Sequence, residues 1–348
     1  MKKIIFMLLM LLIALSLVQA EKLADLEEIN KPELMEIVGD TLLIVEGAEV
    51  YSYDIKDLKF KKKFGRKGEG PGELKTAPSI ANYIIPLKDS FLIASMDKSI
   101  LFNVNGDVIR EFRIPLFTNY LYPANENYIG MRFKPGDKGI AWFELTILDK
   151  EMKDIKVFHK QKMSGGQNMV DLTFDGMGIA VSGDKLYVEN SPDGFEILVF
   201  DMNGNSISKI KKDYKKVKFT DSYKERTMNK LKESPVIREL GWENFKKLVK
   251  ITHGEYLPLI QDMVIDKGKI YVKTNNEKDG QVEFIVLDLK GNIIKIIFLP
   301  IMTEMDFGNK IFGRPARFYK IYNGKYYYLK ENIDEEMWEL YKVDIDLK

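Results

Sequence analysis

The chain has 348 residues, of which 45% are hydrophobic, 30% charged and 11% aromatic. That excludes a disordered chain, a collagen-like repeat and a polytopic membrane protein, and it supplies the apolar material of a large folded core. Lys and Arg number 53 against 52 Asp and Glu, so no global charge points to nucleic acid as a partner.

Residues 1–20 read as a secretory signal peptide. Lys2 and Lys3 precede an apolar run from Ile4 to Val18, and the small residue Ala20 follows. A run of fifteen residues, interrupted only by Ser16, is too short to span a hydrocarbon core of roughly 30 Å as a helix. Cleavage near Ala20 leaves 51 basic and 52 acidic residues, a net charge of −1. There is no cysteine, which excludes lipoprotein anchoring by that route, disulfides and thiolate chemistry. The expected location is periplasmic or secreted.

One phrase then recurs along the chain. A turn precedes a β-rich run, a second apolar run ends in Asp or Asn, and another turn follows. It is clearest at Gly183-Asp184-Lys185-Leu186-Tyr187-Val188, with Glu196 to Asp201 and Asn203-Gly204-Asn205. The end markers are Asp54, Asn103, Asp149, Asp201, Asp288 and Asp344, spaced by 49, 46, 52, 87 and 56 residues. The long interval holds a different texture at 211–255. Without those 45 residues the 328 mature residues leave 283, or about 47 per repeat, the length of a four-stranded blade. The expectation is an all-β, six-bladed β-propeller occupying 21–348, with a helical insertion between blades 4 and 5.

Local chemistry supports this. Asn-Gly at 105–106 and 203–204 is a strong hairpin signal. Five innermost strands are expected to begin near a proline (Pro32, Pro78, Pro123, Pro258 and Pro315), where an edge N–H needs no partner. The last repeat stops after its third strand, so Leu23–Ile29 is expected to pair with Tyr341–Asp346 and close the ring. In the insertion, Asp221-Ser222 should cap a helix to about Glu233, with a second helix over Glu243–Ile251. Residues 209–250 carry fourteen Lys and Arg against six Asp and Glu, a net of +8, leaving −9 on the rest of the mature chain.

Phe64-Gly65-Arg66-Lys67-Gly68-Glu69-Gly70-Pro71-Gly72-Glu73-Leu74 resembles the GRxGxGPGE signature of exported bacterial six-bladed β-propellers, relatives of the NHL-repeat and TolB-like proteins. The resemblance covers essentially the whole mature chain and implies fold and compartment, but little about activity.

The same loop has glycines spaced as in a P-loop, yet Pro71-Gly72 stand where Lys-Ser/Thr would reach phosphate and magnesium, so it reads as a structural crossover. The two histidines, His159 and His253, form no metal or triad pattern. Aligning the inner strands places Glu33, Asn82, Asn119, Met177, Gln261 and Arg317 in one register, above a mostly apolar throat, as in a ligand-binding axial mouth. Arg66, Lys67, Arg314 and the insertion lysines would add positive charge at the rim.

Two functions follow. One is a non-catalytic binding or scaffold propeller, a monomer without cofactor, recognising an anionic ligand, polymer, peptide, glycan or envelope protein. The alternative is a lactonase-like hydrolase with axial Ca or Zn. Glu33, Asn82 and Asn119 are similar to part of that family's metal set, although Met177 replaces its later acidic ligand and Asp171, Asp175 and Asp262 lie out of register.

Overall fold

The computed structural model describes residues 20–76, 82–95, 97–116, 118–136, 140–163, 168–173, 176–190, 194–300 and 317–347. The expected signal segment up to residue 19, and Pro78, Asp175, Arg314 and Pro315, lie outside them. Among the described residues the strands form six four-stranded antiparallel sheets and one two-stranded parallel sheet. The six large sheets are the blades of a β-propeller.

Strand β1 is Glu21–Leu26. Blade 1 is β2 (Leu34–Val38), β3 (Thr41–Glu46), β4 (Glu49–Asp54) and β5 (Phe60–Phe64). Blade 2 is β6 (Tyr83–Pro86), β7 (Ser90–Ser95), β8 (Lys98–Asn103) and β9 (Val108–Arg113). Blade 3 is β10 (Thr118–Ala124), β11 (Asn127–Pro135), β12 (Ala141–Leu148) and β13 (Asp154–Lys162). After the short β14 (Met169–Asp171), blade 4 is β15 (Ile179–Ser182), β16 (Lys185–Glu189), β17 (Phe195–Asp201) and β18 (Ser206–Lys212). The insertion holds α1 (Asp221–Glu233), α2 (Pro235–Leu240), α3 (Trp242–Leu248) and β19 (Lys250–Thr252). Blade 5 is β20 (Asp262–Asp266), β21 (Lys269–Lys278), β22 (Gln281–Asp288) and β23 (Ile293–Pro300). Blade 6 is β24 (Tyr319–Tyr322), β25 (Lys325–Asn332) and β26 (Met337–Asp344), completed by β1.

Neighbours cover both faces of a blade, so inner and middle strands are mostly apolar rather than alternating. All five residues of β2 are buried. Alternate side chains serve opposite neighbours. Met35 and Ile37 pack with Tyr327, Leu329 and Trp338 of blade 6, whereas Leu34 and Val38 pack with Ile84, Phe91 and Ile93 of blade 2. Blades 5 and 6 share an aromatic interface in which Phe284 meets Tyr319 and Tyr326 edge-on.

The repeat markers have a mechanical role. Asp201 ends the third strand of blade 4, and its Oδ1 accepts from the N–H groups of Asn203 and Asn205. Asn103, Asp149 and Asp288 do the same in their blades, and Asp54 accepts from Lys56 N–H. The Asn205 N–H holds the Asp201 carboxyl below the usual carboxylate range, and the Asn292 side-chain amide, with its N–H, does the same for Asp288. Asn203 does not adopt the positive φ expected of an Asn-Gly hairpin; Gly204 alone does, at φ 69°. A Cβ on Gly204 would come within 2.5 Å of the Phe158 ring of blade 3, so this glycine serves both the turn and the packing of adjacent blades.

The chain's ends meet as expected, with a different register. Strand β1 pairs antiparallel with Trp338–Lys342, from Glu21 opposite Lys342 to Leu26 opposite Trp338, rather than with Tyr341–Asp346. Buried Leu26 and Ile29 explain the choice, because this register docks them in the apolar layer shared by blades 6 and 1. Pro123 lies near the end of β10, opposite Tyr128, and not at its start. The insertion has three helices rather than two. Thr220, not Asp221, is the N-cap of α1, its hydroxyl accepting from Tyr223 N–H, and Ser234 and Gly241 separate the helices.

Candidate functional site

In an antiparallel blade, all outer-to-inner crossovers leave on one rim, together with the turns between second and third strands. The opposite rim carries the short turns at Gly39, Gly183 and Asn203. The connections that leave β5, β13 and β18 therefore start on the first rim.

On the axis, a cavity of about 160 Å³ is lined from every innermost strand: Glu36, Ile85, Tyr120, Ala180, Val264 and Lys320, with Arg317 beside them. It is small against the roughly 300–1,000 Å³ of a typical ligand pocket. Its charges are paired. Lys320 Nζ lies 2.6 Å from the carboxylate of Glu36, which also accepts from Ile37 N–H. Arg317 lies 2.5 Å from buried Asp262, whose other oxygen accepts from the Tyr319 hydroxyl at 2.5 Å. Burial alone would raise the Asp262 carboxyl. The Arg317 charge, the Tyr319 hydroxyl and the Met263 N–H outweigh it and hold the group below its ordinary range.

The expected polar ring is only partly such. Asn82 is buried and its amide donates to the Gly47 carbonyl at 2.7 Å, tying blade 2 to blade 1. Arg317 is bound to Asp262, and its carbonyl accepts from Met35 N–H. Glu33 and Gln261 stand at the starts of β2 and β20, their N–H groups bonded to Val45 and Lys273. Asn119 lies in β10, but its side chain is outside the described residues, as is Arg314. The throat is not wholly apolar, because Glu36 and Lys320 enter it from the opposite face of their strands. These two charges, interrupting largely apolar inner strands (Leu34–Val38 and Tyr319–Tyr322), were the sequence signal of a paired site.

The glycine-rich loop carries its own anion. Glu73 accepts from Gly70 N–H at 2.7 Å and pairs with Arg66 at 2.8 Å. Leu74 N–H and Arg66 carbonyl close the loop, and a Cβ on Gly68 would fall 1.9 Å from the Glu73 carboxylate. Lys98 and Glu111 of blade 2 bind the carbonyl of Gly70 and the N–H of Gly72. The carboxylate of Glu73 thus occupies the nest a phosphate would need, and the motif is a crossover clamp. Lys67 is exposed beside it.

The helical insertion does not stand free. Strand β19 pairs parallel with β14 from the preceding crossover. Leu231, Ile237 and Phe245 are buried against Val170, Leu172 and Phe219. Leu240 and Leu248, by contrast, are exposed at 38% and 59%. Tyr214 donates to the Glu283 carboxylate of blade 5, and burial followed by this bond pushes its hydroxyl up to about 12. Arg226 pairs with Glu277 at 3.6 Å. Two long crossovers thus form one cap seated on blades 4 and 5.

Among the described residues no three His, Cys, Asp or Glu are grouped to hold a metal. Asp262 is committed to Arg317 and Tyr319, and the proposed set of Glu33, Asn82 and Asn119 offers one carboxylate, too few for a hard cation. His159 lies on the outer strand of blade 3 and His253 in the insertion, its ring tilted against that of Phe219.

These features define a six-bladed β-propeller with a cationic helical cap on its crossover rim. Residues 24–178 match a family model described as a 6-bladed beta-propeller. A solved member of the duf4221 family from Bacteroides vulgatus is similar, at 12% identity, covering 93% of this chain and 96% of that one with a TM-score of 0.48. The WD40 domain of Neurospora crassa Pan2 shares 9% identity over 94% and 96%, with a TM-score of 0.44. BamB from Moraxella catarrhalis shares 11% over 89% and 71%, with a TM-score of 0.32. No curated protein matches the sequence.

Proposed function

We propose that the protein is an exported, non-catalytic binding propeller that engages an anionic envelope component on its crossover rim. The observation that carries this reading is the joining of two long crossovers into one cap with a net charge of +8 in 209–250. The small, internally paired axial cavity argues against a substrate pocket on the axis. The lysines at 215, 216 and 218 are exposed on the cap's approach to α1. Signal-directed export would place this surface outside the cytoplasm, where it can meet acidic polymers, proteins and headgroups.

A photo-cross-linking residue at Lys216 or Lys247 is expected to form adducts with envelope material in the producing bacterium. The same residue at Asn105 or Asn203, on the opposite rim, is expected to form none. Adducts from the opposite rim alone would refute the assignment.

A further inference from the structure

We propose that the cap is a peripheral membrane-docking surface, with α2 and α3 resting on an anionic phospholipid leaflet. This inference rests on the proposed binding role of the capped rim and names its occupant.

The apolar residues decide between a lipid surface and a soluble polyanion. Helix α3 turns Phe245 inward, where it is buried, and leaves Leu248 at 59% exposure. Leu240, at the end of α2, is 38% exposed, and the Asn244 amide donates to its carbonyl at 3.0 Å. Asn244 and Leu248 are four apart and share a side of α3. Two exposed leucines therefore flank one edge of the cap. A polyanion in water gains nothing from such residues, whereas a bilayer interface buries them.

The charges agree. Arg238, Lys246 and Lys247 are exposed on these two helices. Lys232 and Lys246 lie 5.5 and 5.8 Å from the Trp242 ring, although Lys246 also pairs with Glu243 at 2.8 Å. Lys216 lies 5.3 Å from the Tyr256 ring, and that tyrosine is 40% exposed. Aromatic rings with cations over their faces suit the headgroup layer. The cap segment carries +8 against −9 on the rest of the mature chain, and this charge asymmetry favours the cap facing a negative leaflet. Contact through two leucines and a basic patch is reversible.

The test is flotation of the mature chain, residues 21–348, with vesicles of phosphatidylethanolamine containing 30 mol% phosphatidylglycerol, and with neutral phosphatidylcholine vesicles, in ~0.1 M salt. The expected result is binding to the anionic vesicles alone. Removing a basic charge weakens binding roughly fivefold, so replacing Arg238, Lys246 and Lys247 by Gln is expected to weaken it about a hundredfold. Leu240→Ser with Leu248→Ser is expected to weaken vesicle binding several-fold while leaving binding to soluble polyglutamate unchanged. All five side chains are exposed, and unchanged melting temperatures verify that the variants are folded.

Failure of the wild-type chain to float would overturn the proposal. Equal flotation of the leucine variant would also overturn it and assign the patch to a soluble polyanion. Cross-links from Lys216 or Lys247 to envelope material, with no vesicle binding, would leave the rim as the binding face while removing the lipid as its occupant.

Discussion

Asp262→Ala is expected to destabilise the propeller by about 3–5 kcal/mol, the cost of removing one partner from a buried ion pair. Asp262 is 7% exposed and holds both the Arg317 guanidinium and the Tyr319 hydroxyl. Without it, the guanidinium stays charged between blades 5 and 6 and the hydroxyl loses its acceptor. Tyr319 packs on Phe284 and Tyr326, so the damage spreads through the aromatic interface of these blades. Urea denaturation of wild type and variant at pH 7 measures the difference. Its pH dependence has a defined sign. The Asp262 carboxyl is held below its ordinary value in the folded chain, so its stabilisation is fully present above about pH 4 and is lost as pH falls through the depressed folded value. The gap between wild type and variant should therefore narrow in acid. A gap of under about 1 kcal/mol at neutral pH would show that the pair is not buried as described.

Deleting residues 21–26 is expected to cost ~5 kcal/mol, a large share of the roughly 5–15 kcal/mol that holds a domain folded. Two terms contribute. Leu26 is 1% exposed, and burying such a side chain is worth about 1.5–3 kcal/mol. The ladder with β26 adds about 0.5–1.5 kcal/mol for each net hydrogen bond. Ion pairs from Lys22 to Glu339 at 2.6 Å and from Glu21 to Lys342 at 2.7 Å vanish as well. The truncation also uncovers Trp338 and opens the junction of blades 6 and 1. Thermal unfolding is the measurement, and a melting temperature equal to that of the mature chain would mean that β1 is a frayed tail.

The architecture was legible because its punctuation is chemical. A hairpin that bonds two successive N–H groups needs Asp or Asn at a fixed place, and the markers at Asn103, Asp149, Asp201 and Asp288 recur for that reason. Ring closure could be read because the last repeat lacks a strand. Register was less legible: the choice of Trp338 over Tyr341 as the inner end of the clasp depends on where Leu26 and Ile29 find an apolar layer, which is a tertiary fact. The axial residues were the least legible. Asn82 and Arg317 stand at inner-strand starts, and polarity there does not say whether it faces ligand, carbonyl or counter-ion. Glu36 and Lys320 meet across 284 residues of sequence, and only the closing of the ring brings them together.

The functional reading, the cap's orientation and the axial pairing all require that the chain's ends close one ring. The absence of cysteine gives a clean background for testing this. Glu21 and Lys342 are directly opposed, and their side chains meet at 2.7 Å. Opposed residues of an antiparallel pair have the Cα separation that a disulfide accepts. Mature chain carrying Glu21→Cys and Lys342→Cys, oxidised under mild conditions and weighed by intact mass spectrometry, is predicted to form the intramolecular disulfide quantitatively and to melt at a higher temperature than its reduced form. Two persistently free thiols in the folded monomer would contradict ring closure and the account built on it.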